Sequence, residues 1–203
     1  MKQYSIGVFL NIFDRKIEDW KRQIKHIKQL KEVGHIEVLL EETSLNNKEI
    51  EILKKLLAGY RIIIHAPFMD LVLLSPHQEI VKATIAIWQR AMDIGKSLKA
   101  ETFVIHAERY PNFWNENTAR KQLITQITIL AKKSPFPIAI ENLSRGGKTQ
   151  IPYPSTEKQI TDLAKILPKN TGLTIDIGHL LQDDIDVFAV LEKTQIFGST
   201  KKN

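Results

Sequence analysis

The feature that most constrains the fold is a regular alternation between short apolar runs and longer segments with helical periodicity. Six such units follow one another, each spanning roughly 30 to 40 residues, as in strands joined by crossover helices. The apolar runs are rich in β-branched residues and show no polar alternation, which is typical of parallel strands buried on both faces. We therefore predict an α/β fold with a parallel sheet.

The predicted elements have the following approximate bounds. Strands are expected at 4–10, 35–41, 62–65, 103–106, 138–141 and 173–177. Helices are expected at 17–33, 47–57, 78–96 and 118–133, then from about 155 onward and at 183–192. Gly34 and Gly59 are expected to end the first two helices, because glycine readily adopts the left-handed conformation found there. Asp183 or Asp184 is expected to cap the last helix.

Four successive strands end in side chains that can bind a metal ion. His65, His106 and Glu141 close three of the runs, and Asp176 closes the fourth, with His179 three residues further on. Ligands of α/β folds lie at the carboxyl ends of their strands, which share one edge of a parallel sheet. The sequence contains no cysteine, so a metal here would be held by nitrogen and oxygen. We predict a divalent-metal site made of these five residues.

Each of these residues also has a purely structural interpretation. The histidines could simply hydrogen-bond within the mouth of the fold, and Arg145 could form an ion pair with Glu141. Asp176 could cap the following turn or hydrogen-bond to His179. Glu37 is a weaker candidate that could point inward, whereas His26, His35 and His77 are interpreted as structural.

Composition and charge exclude few classes of function. The net charge of +6 is compatible with nucleic acid or phosphorylated substrates, although many lysines lie at helical spacing on a solvated face. We found neither a signal peptide nor a run long enough to cross a membrane. Together with the absence of cysteine, this predicts a cytoplasmic protein that does not associate with a membrane.

The residues around the predicted site resemble those of the xylose isomerase-like TIM barrels. This superfamily includes sugar-phosphate isomerases and epimerases, and also the endonuclease IV group of abasic-site nucleases. The resemblance covers about residues 4–193 and rests on four stretches: His65-Ala66-Pro67-Phe68, Val104-Ile105-His106, Ile140-Glu141-Asn142-Leu143 and Leu173-Thr174-Ile175-Asp176-Ile177-Gly178-His179. It implies a (β/α) TIM-barrel type of fold with six of the usual eight βα units, forming a single domain over 1–193.

The resemblance implies a divalent metal (Zn, Mn or Mg) and two alternative activities. In isomerase and epimerase members, the positions of Glu141 and Asp176 hold one Mn²⁺, Mg²⁺ or similar ion. Glu141 is then the expected catalytic carboxylate, and the partner is a sugar or sugar phosphate. In endonuclease IV-like members, His65, His106 and Glu141 match the ligands of one zinc. Asp176 and His179 match ligands of two further zincs, and DNA is the substrate.

A third alternative comes from the C-terminal end of the sequence. Residues 194–203 are expected to form an irregular tail, and no histidine or acidic residue follows Glu192. The chain is thus expected to stop two βα units short of a complete barrel, without the last ligands. It would then be a truncated, non-catalytic member that covers its open strand edges by forming a homo-oligomer.

Overall fold

The computed structural model describes residues 6–106, 108–145 and 150–194, in which helices pack on a parallel sheet. The strands are β1 (Ile6–Ile12), β2 (Val33–Leu40), β3 (Arg61–His65), β4 (Thr102–His106), β5 (Arg109–Pro111), β6 (Ile138–Glu141), β7 (Gln150–Pro152) and β8 (Thr171–Thr174). The helices are α1 (Ile17–Ile27), α2 (Asn47–Leu57), α3 (Gln78–Ser97), α4 (Glu116–Lys133), α5 (Glu157–Ile166), α6 (Ile177–Gln182) and α7 (Val187–Lys193).

Six parallel strands form the main sheet in the order β1-β2-β3-β4-β6-β8. All of its neighbouring strands are parallel, so their carboxyl ends lie at one edge. The predicted α/β class and the six βα units are therefore confirmed. Strands β1 and β8 are the outer strands of this sheet within the described ranges, so the sheet has the strand order of a barrel without its closure.

Each strand presents one face to the helices and the other to the inside of the fold. In β2, Ile36, Val38 and Leu40 are completely buried under the helical layer. The intervening residues, including Glu37, are only half-buried because they line the inner face. The helices contribute large apolar side chains to the same core, among them Trp20 and Trp88. The apolar core thus lies between sheet and helices, and polar side chains are left for the inner face.

Helix α2 illustrates how local sequence fixes an element. The side chain of Asn46 accepts a hydrogen bond from the backbone N–H of Glu49, whose carboxylate in turn accepts one from the N–H of Asn46. This reciprocal capping box satisfies two N–H groups that a helix start leaves without partners. At the other end, Gly59 has a φ of +93°, which confirms it as the residue that turns the chain after the helix.

Several predicted boundaries were wrong, and so were the predicted caps at two helix ends. Helix α1 ends at Ile27 instead of Val33, and Gly34 lies inside β2. The turn into β2 uses Glu32 at a φ of +73°, so no glycine marks this helix end. The last strand is β8, which ends at Thr174 instead of 177, because Asp176 already caps α6. The cap of α7 is Asp186, not Asp183 or Asp184.

A small antiparallel ribbon was not predicted. Strands β5 and β7 lie in the loops after β4 and β6 and pair with each other. This ribbon buries Tyr110, whose ring meets that of Tyr153 edge to face. The two loops that leave the site are therefore tied together on one side of it.

Two other expectations concern the chain as a whole. Among the described residues, no helix combines the length and apolarity that crossing a bilayer demands. The predicted irregular tail falls almost entirely outside the described residues, which end at Thr194.

Candidate metal centre

The carboxyl ends of β3, β4 and β6 bring three of the predicted residues together. His65 and His106 are the last residues of β3 and β4, and Glu141 is the last residue of β6. His106 and Glu141 are direct neighbours in the sheet register. Since all three strands run in the same direction, their terminal side chains meet at one edge, as the sequence predicted.

The two imidazoles face opposite oxygens of one carboxylate. Nε2 of His65 lies 3.4 Å from Oε2 of Glu141, and Nε2 of His106 lies 3.6 Å from Oε1. One ligand atom from each residue lies within 4.8 Å of the other two. His65 and Glu141 are buried, and His106 is half-buried. Two imidazole nitrogens and a carboxylate oxygen at this spacing are a donor set that divalent transition metals prefer.

The far side of each imidazole faces an acceptor. Nδ1 of His65 is 2.9 Å from the carbonyl oxygen of Ala66. Because a carbonyl can only accept, Nδ1 of His65 donates in this contact, so a metal would be bound through Nε2. Nδ1 of His106 lies 3.3 Å from Oε1 of Glu108. The chain thus orients both rings with Nε2 toward Glu141, as metal-binding histidines require.

Glu141, Asp176 and His179 form a second cluster that shares Glu141 with the first. Nδ1 of His179 lies 3.5 Å from Oδ2 of Asp176 and 4.0 Å from Oε1 of Glu141. The same nitrogen is only 2.8 Å from the carbonyl oxygen of Asn142, to which it must donate. Its lone pair is therefore on Nε2. The second cluster is less fully arranged for a metal than the first.

The predicted capping role of Asp176 is confirmed, whereas the suggested ion pair between Glu141 and Arg145 does not form. Asp176 does cap α6, since its Oδ1 accepts the backbone N–H of His179 at 2.9 Å, while Oδ2 remains near the His179 ring. Arg145 does not pair with Glu141; its guanidinium contacts Asp183 instead. The negative charge of Glu141 is therefore balanced by imidazoles and not by a guanidinium.

Asn142 positions the segment that carries Asp176. Its side-chain oxygen accepts from the Asp176 N–H at 2.7 Å, and its side-chain nitrogen donates to the Asp176 carbonyl at 3.1 Å. Both bonds attach the Asn142 side chain to the backbone of Asp176. These bonds extend the connection between β6 and β8 beyond the last ladder pair and fix where α6 begins.

The charges of the first cluster support one another. Burial opposes ionisation of Glu141, but hydrogen bonding and charge from His106 and His65 outweigh it and lower its pKa to about 2. Burial likewise opposes protonation of His106, but Glu108 and Glu141 outweigh it and raise its pKa to about 9. In the metal-free chain, Glu108 and Glu141 therefore stabilise a proton on His106. The same two carboxylates would stabilise a metal cation bound there.

The stability of the metal-free chain is expected to fall as the pH rises from about 6.5 to above 9. The raised pKa of His106 means that its contribution is complete below the ordinary value of 6.5 and is lost as the pH passes about 9. The lowered pKa of Glu141 gives a contribution that is present above 4.5 and lost on acidification toward about 2. Thermal unfolding in the presence of a chelator would measure this profile. His106→Gln should flatten it between pH 6.5 and 9, and an equally steep decline in that variant would contradict the assignment.

Two carboxylates beside the cluster, Glu108 and Glu41, had no predicted role at the site. Glu108 was not singled out, although it follows the His106 ligand by two residues, a spacing that could have drawn attention to it. Oε1 of Glu41 accepts the backbone N–H of Phe68 at 2.9 Å. The Phe68 ring in turn lies 4.8 Å from that of His106. Glu41 therefore holds the loop that covers the cluster.

The remaining candidates are Glu37 and three histidines, and they lie where the sequence predicted them. Glu37 is on the inner face, and its pKa is raised mainly by burial, with the charges of Glu141 and Asp176 adding to the effect. His26, His35 and His77 belong to neither cluster found among the described residues. His35 lies against Gly7, whose missing side chain leaves room for the imidazole ring.

A cleft of about 250 Å³ opens beside the first cluster. It is lined by Phe68, His106, Glu108, Ser144 and His179, among others. A larger cleft of about 660 Å³ lies near Arg61, at the amino end of β3 and thus at the other end of the sheet. Because barrel sites lie at the carboxyl ends of the strands, the smaller cleft is the better candidate for binding a substrate.

Comparison with known proteins identifies the family of the chain. A sequence model of the family described as "Xylose isomerase-like TIM barrel" matches residues 27–200. The chain belongs to this family. An uncharacterized protein of Methanocaldococcus jannaschii is 29% identical over 153 residues, which cover 70% of this chain and 51% of that protein. The chain thus spans about half the length of this curated relative.

Solved structures show the same fold at low sequence identity. A D-tagatose 3-epimerase-like protein superimposes with a TM-score of 0.73 at 22% identity, covering 95% of this chain and 73% of the other. A D-psicose 3-epimerase crystallised in the presence of D-fructose gives 0.75 at 15% identity, covering 93% and 68%. Endonuclease IV from Thermus thermophilus gives 0.63 at 16% identity, covering 94% and 70%. Both predicted branches of the family are therefore represented among its structural neighbours.

Proposed function

We propose that this chain binds a divalent metal and acts as a sugar or sugar-phosphate isomerase or epimerase. The observation that carries the proposal is the small cleft that reaches His106 and His179 beside their shared neighbour Glu141. Its volume of about 250 Å³ is near the lower end of clefts that bury small molecules, as suits a monosaccharide. The epimerase structures named above support the proposal through their fold.

The proposed ligands are His65, His106, Glu141, Asp176 and His179. Their nitrogen and oxygen donors fit Zn²⁺ or Mn²⁺ better than Mg²⁺, which prefers oxygen alone. A divalent cation at this position would polarise a carbonyl or phosphoryl oxygen of the substrate.

The chain itself would supply binding and proton transfer. Glu141 is ionised at neutral pH, which is the form that both a cation ligand and a proton acceptor require. We propose Glu141 as the catalytic carboxylate that accepts a proton from the carbon next to the substrate carbonyl. Glu37, with its raised pKa on the same inner face, is a second group able to exchange a proton. Phe68 would shield this region from water.

Solvent-proton exchange tests the proposed reaction across many sugars at once, so the substrate need not be identified first. The full chain, loaded with Mn²⁺ or Zn²⁺, would be incubated in deuterated water with a panel of ketoses and ketose phosphates. We expect deuterium to enter next to the carbonyl of at least one sugar, and chelation to stop the exchange. Exchange in none of them by metal-loaded protein would contradict the proposal.

The second candidate is an abasic-site DNA endonuclease, and one observation favours it. The better-formed cluster is His65 with His106 and Glu141, the set that resembles a zinc site of the endonuclease IV group. Against it, Tyr110 in the loop after β4 is buried against Tyr153 and is not available to stack on a base. Phe113 remains exposed and available for such a role. Chelator-sensitive cleavage of an abasic-site duplex, without sugar exchange, would select this alternative.

Cytoplasmic location and homo-oligomer formation stay predictions. The apolar residues Ile6, Phe9 and Phe13 on and just after the edge strand β1 are exposed, as an unpaired edge would leave them. Light scattering of the purified chain would show whether a second copy covers this edge.

A further inference from the structure

Glu108 is a half-buried carboxylate that none of the proposed ligand roles uses. Its Oε1 is shielded from water and finds no hydrogen-bond partner with good geometry among the described residues. Nδ1 of His106 lies 3.3 Å from this oxygen. A buried carboxylate oxygen without a partner is costly, so its place beside the ring needs a reason.

The backbone at Glu108 is also unusual. Its φ is +76°, in the left-handed region that residues with a Cβ seldom adopt. The conformation is held from outside, because the Glu108 carbonyl accepts a hydrogen bond from the N–H of Tyr153 at 3.1 Å. The β5–β7 ribbon therefore keeps the carboxylate turned back toward the preceding strand, where His106 lies.

The other two histidines of the site also have an acceptor opposite Nδ1. Nδ1 of His65 faces the carbonyl of Ala66, and Nδ1 of His179 faces that of Asn142. In each case the acceptor belongs to the backbone. At His106 the corresponding acceptor is a side chain that carries a negative charge, so it strengthens the imidazole as an electron donor more than a neutral carbonyl does.

We propose that Glu108 is a positioning residue for the metal ligand His106, which it holds with Nδ1 protonated and Nε2 directed at the metal. The inference rests on the proposed metal site. A small rotation of the imidazole would complete the Nδ1–H bond to Oε1 and give that oxygen its partner. Carboxylate, imidazole and metal would then lie in series, with Glu108 outside the set of ligands.

Zinc affinity of the full chain, measured by competition with a chromophoric chelator, tests this role. Loss of such an outer partner typically weakens metal binding by about 10- to 100-fold, and we expect a weakening in this range for Glu108→Ala. Glu108→Gln keeps an oxygen that can accept a hydrogen bond from Nδ1–H, so its affinity should lie between those of wild type and Glu108→Ala. Asp93→Asn removes a charge from an exposed residue in the C-terminal part of α3, near the amino end of the sheet, and should leave affinity unchanged.

A spectroscopic measurement separates positioning from a general structural effect. In the zinc-loaded wild type, the Nδ1 proton of His106 should give a downfield, slowly exchanging NMR signal, which should disappear in Glu108→Ala while the His65 signal remains. Wild-type affinity in both Glu108 variants, with the His106 signal unchanged, would overturn the inference and leave the metal site standing. Absence of zinc binding by wild type itself would instead remove the proposed function and this inference with it.

Discussion

Glu141→Ala is expected to reduce divalent-metal affinity by more than about 100-fold, beyond the loss typical of an outer partner. Glu141 is the one residue common to both clusters found in the described part of the chain. Its two oxygens face Nε2 of His65 and Nε2 of His106, at 3.4 and 3.6 Å. Removal of the Glu141 carboxylate therefore leaves the two imidazoles without the anionic donor between them. It also takes one of the three members from the second cluster.

Competition titration with Zn²⁺ and Mn²⁺ would measure the loss, and circular dichroism would establish that the variant is folded. Glu37→Gln is the matched control, because it alters an inner-face carboxylate that senses the charges of the site but belongs to neither cluster. We expect this control to change affinity by no more than a few-fold. Comparable losses in the two variants would mean that the negative potential of the inner face, and not a specific ligand, attracts the metal.

The convergence at Glu141 was predictable because it follows from strand direction alone. Once three apolar runs are recognised as parallel strands, their terminal residues must share an edge of the sheet. No side-chain detail is needed to bring His65, His106 and Glu141 together. The strands themselves were recognisable because their burial leaves a continuous apolar signal.

The contacts around the cluster depend on backbone choices that the sequence does not mark. Glu108 reaches His106 only because it adopts a positive φ, which is normally associated with glycine. The β5–β7 ribbon joins residues about 40 positions apart, through short strands that carry no periodic pattern. Asp176 has two roles at once, as helix cap and member of a cluster, so neither interpretation could be chosen from spacing alone.

Trp88 links the stability of the core to the position of the first ligand. It is completely buried in α3, and its indole N–H donates to the carbonyl of Pro67 at 2.8 Å. Pro67 lies between Ala66, whose carbonyl holds the His65 ring, and Phe68, whose ring covers His106. The core tryptophan therefore anchors the loop that orients both imidazoles.

Trp88→Ala is expected to destabilise the protein by about 3–5 kcal/mol, a large part of the marginal stability of a domain. Trp88→Phe keeps most of the volume but leaves the buried Pro67 carbonyl without its donor, at a cost of about 1–3 kcal/mol. Because that carbonyl belongs to the loop after His65, we also expect zinc affinity to fall several-fold in Trp88→Phe. Urea unfolding and zinc competition on the same preparations would measure the two effects.

Trp20→Phe provides the matched control for this coupling. Trp20 is equally buried, and its indole donates to the carbonyl of Asp14 at 3.2 Å, in the loop before α1, which contributes no residue to either cluster. The Trp20→Phe variant should lose about as much stability as Trp88→Phe, while its zinc affinity stays at the wild-type value. A similar loss of affinity in both variants would mean that global loosening weakens the site. A loss confined to Trp88→Phe would show that one hydrogen bond from the core sets the direction of His65.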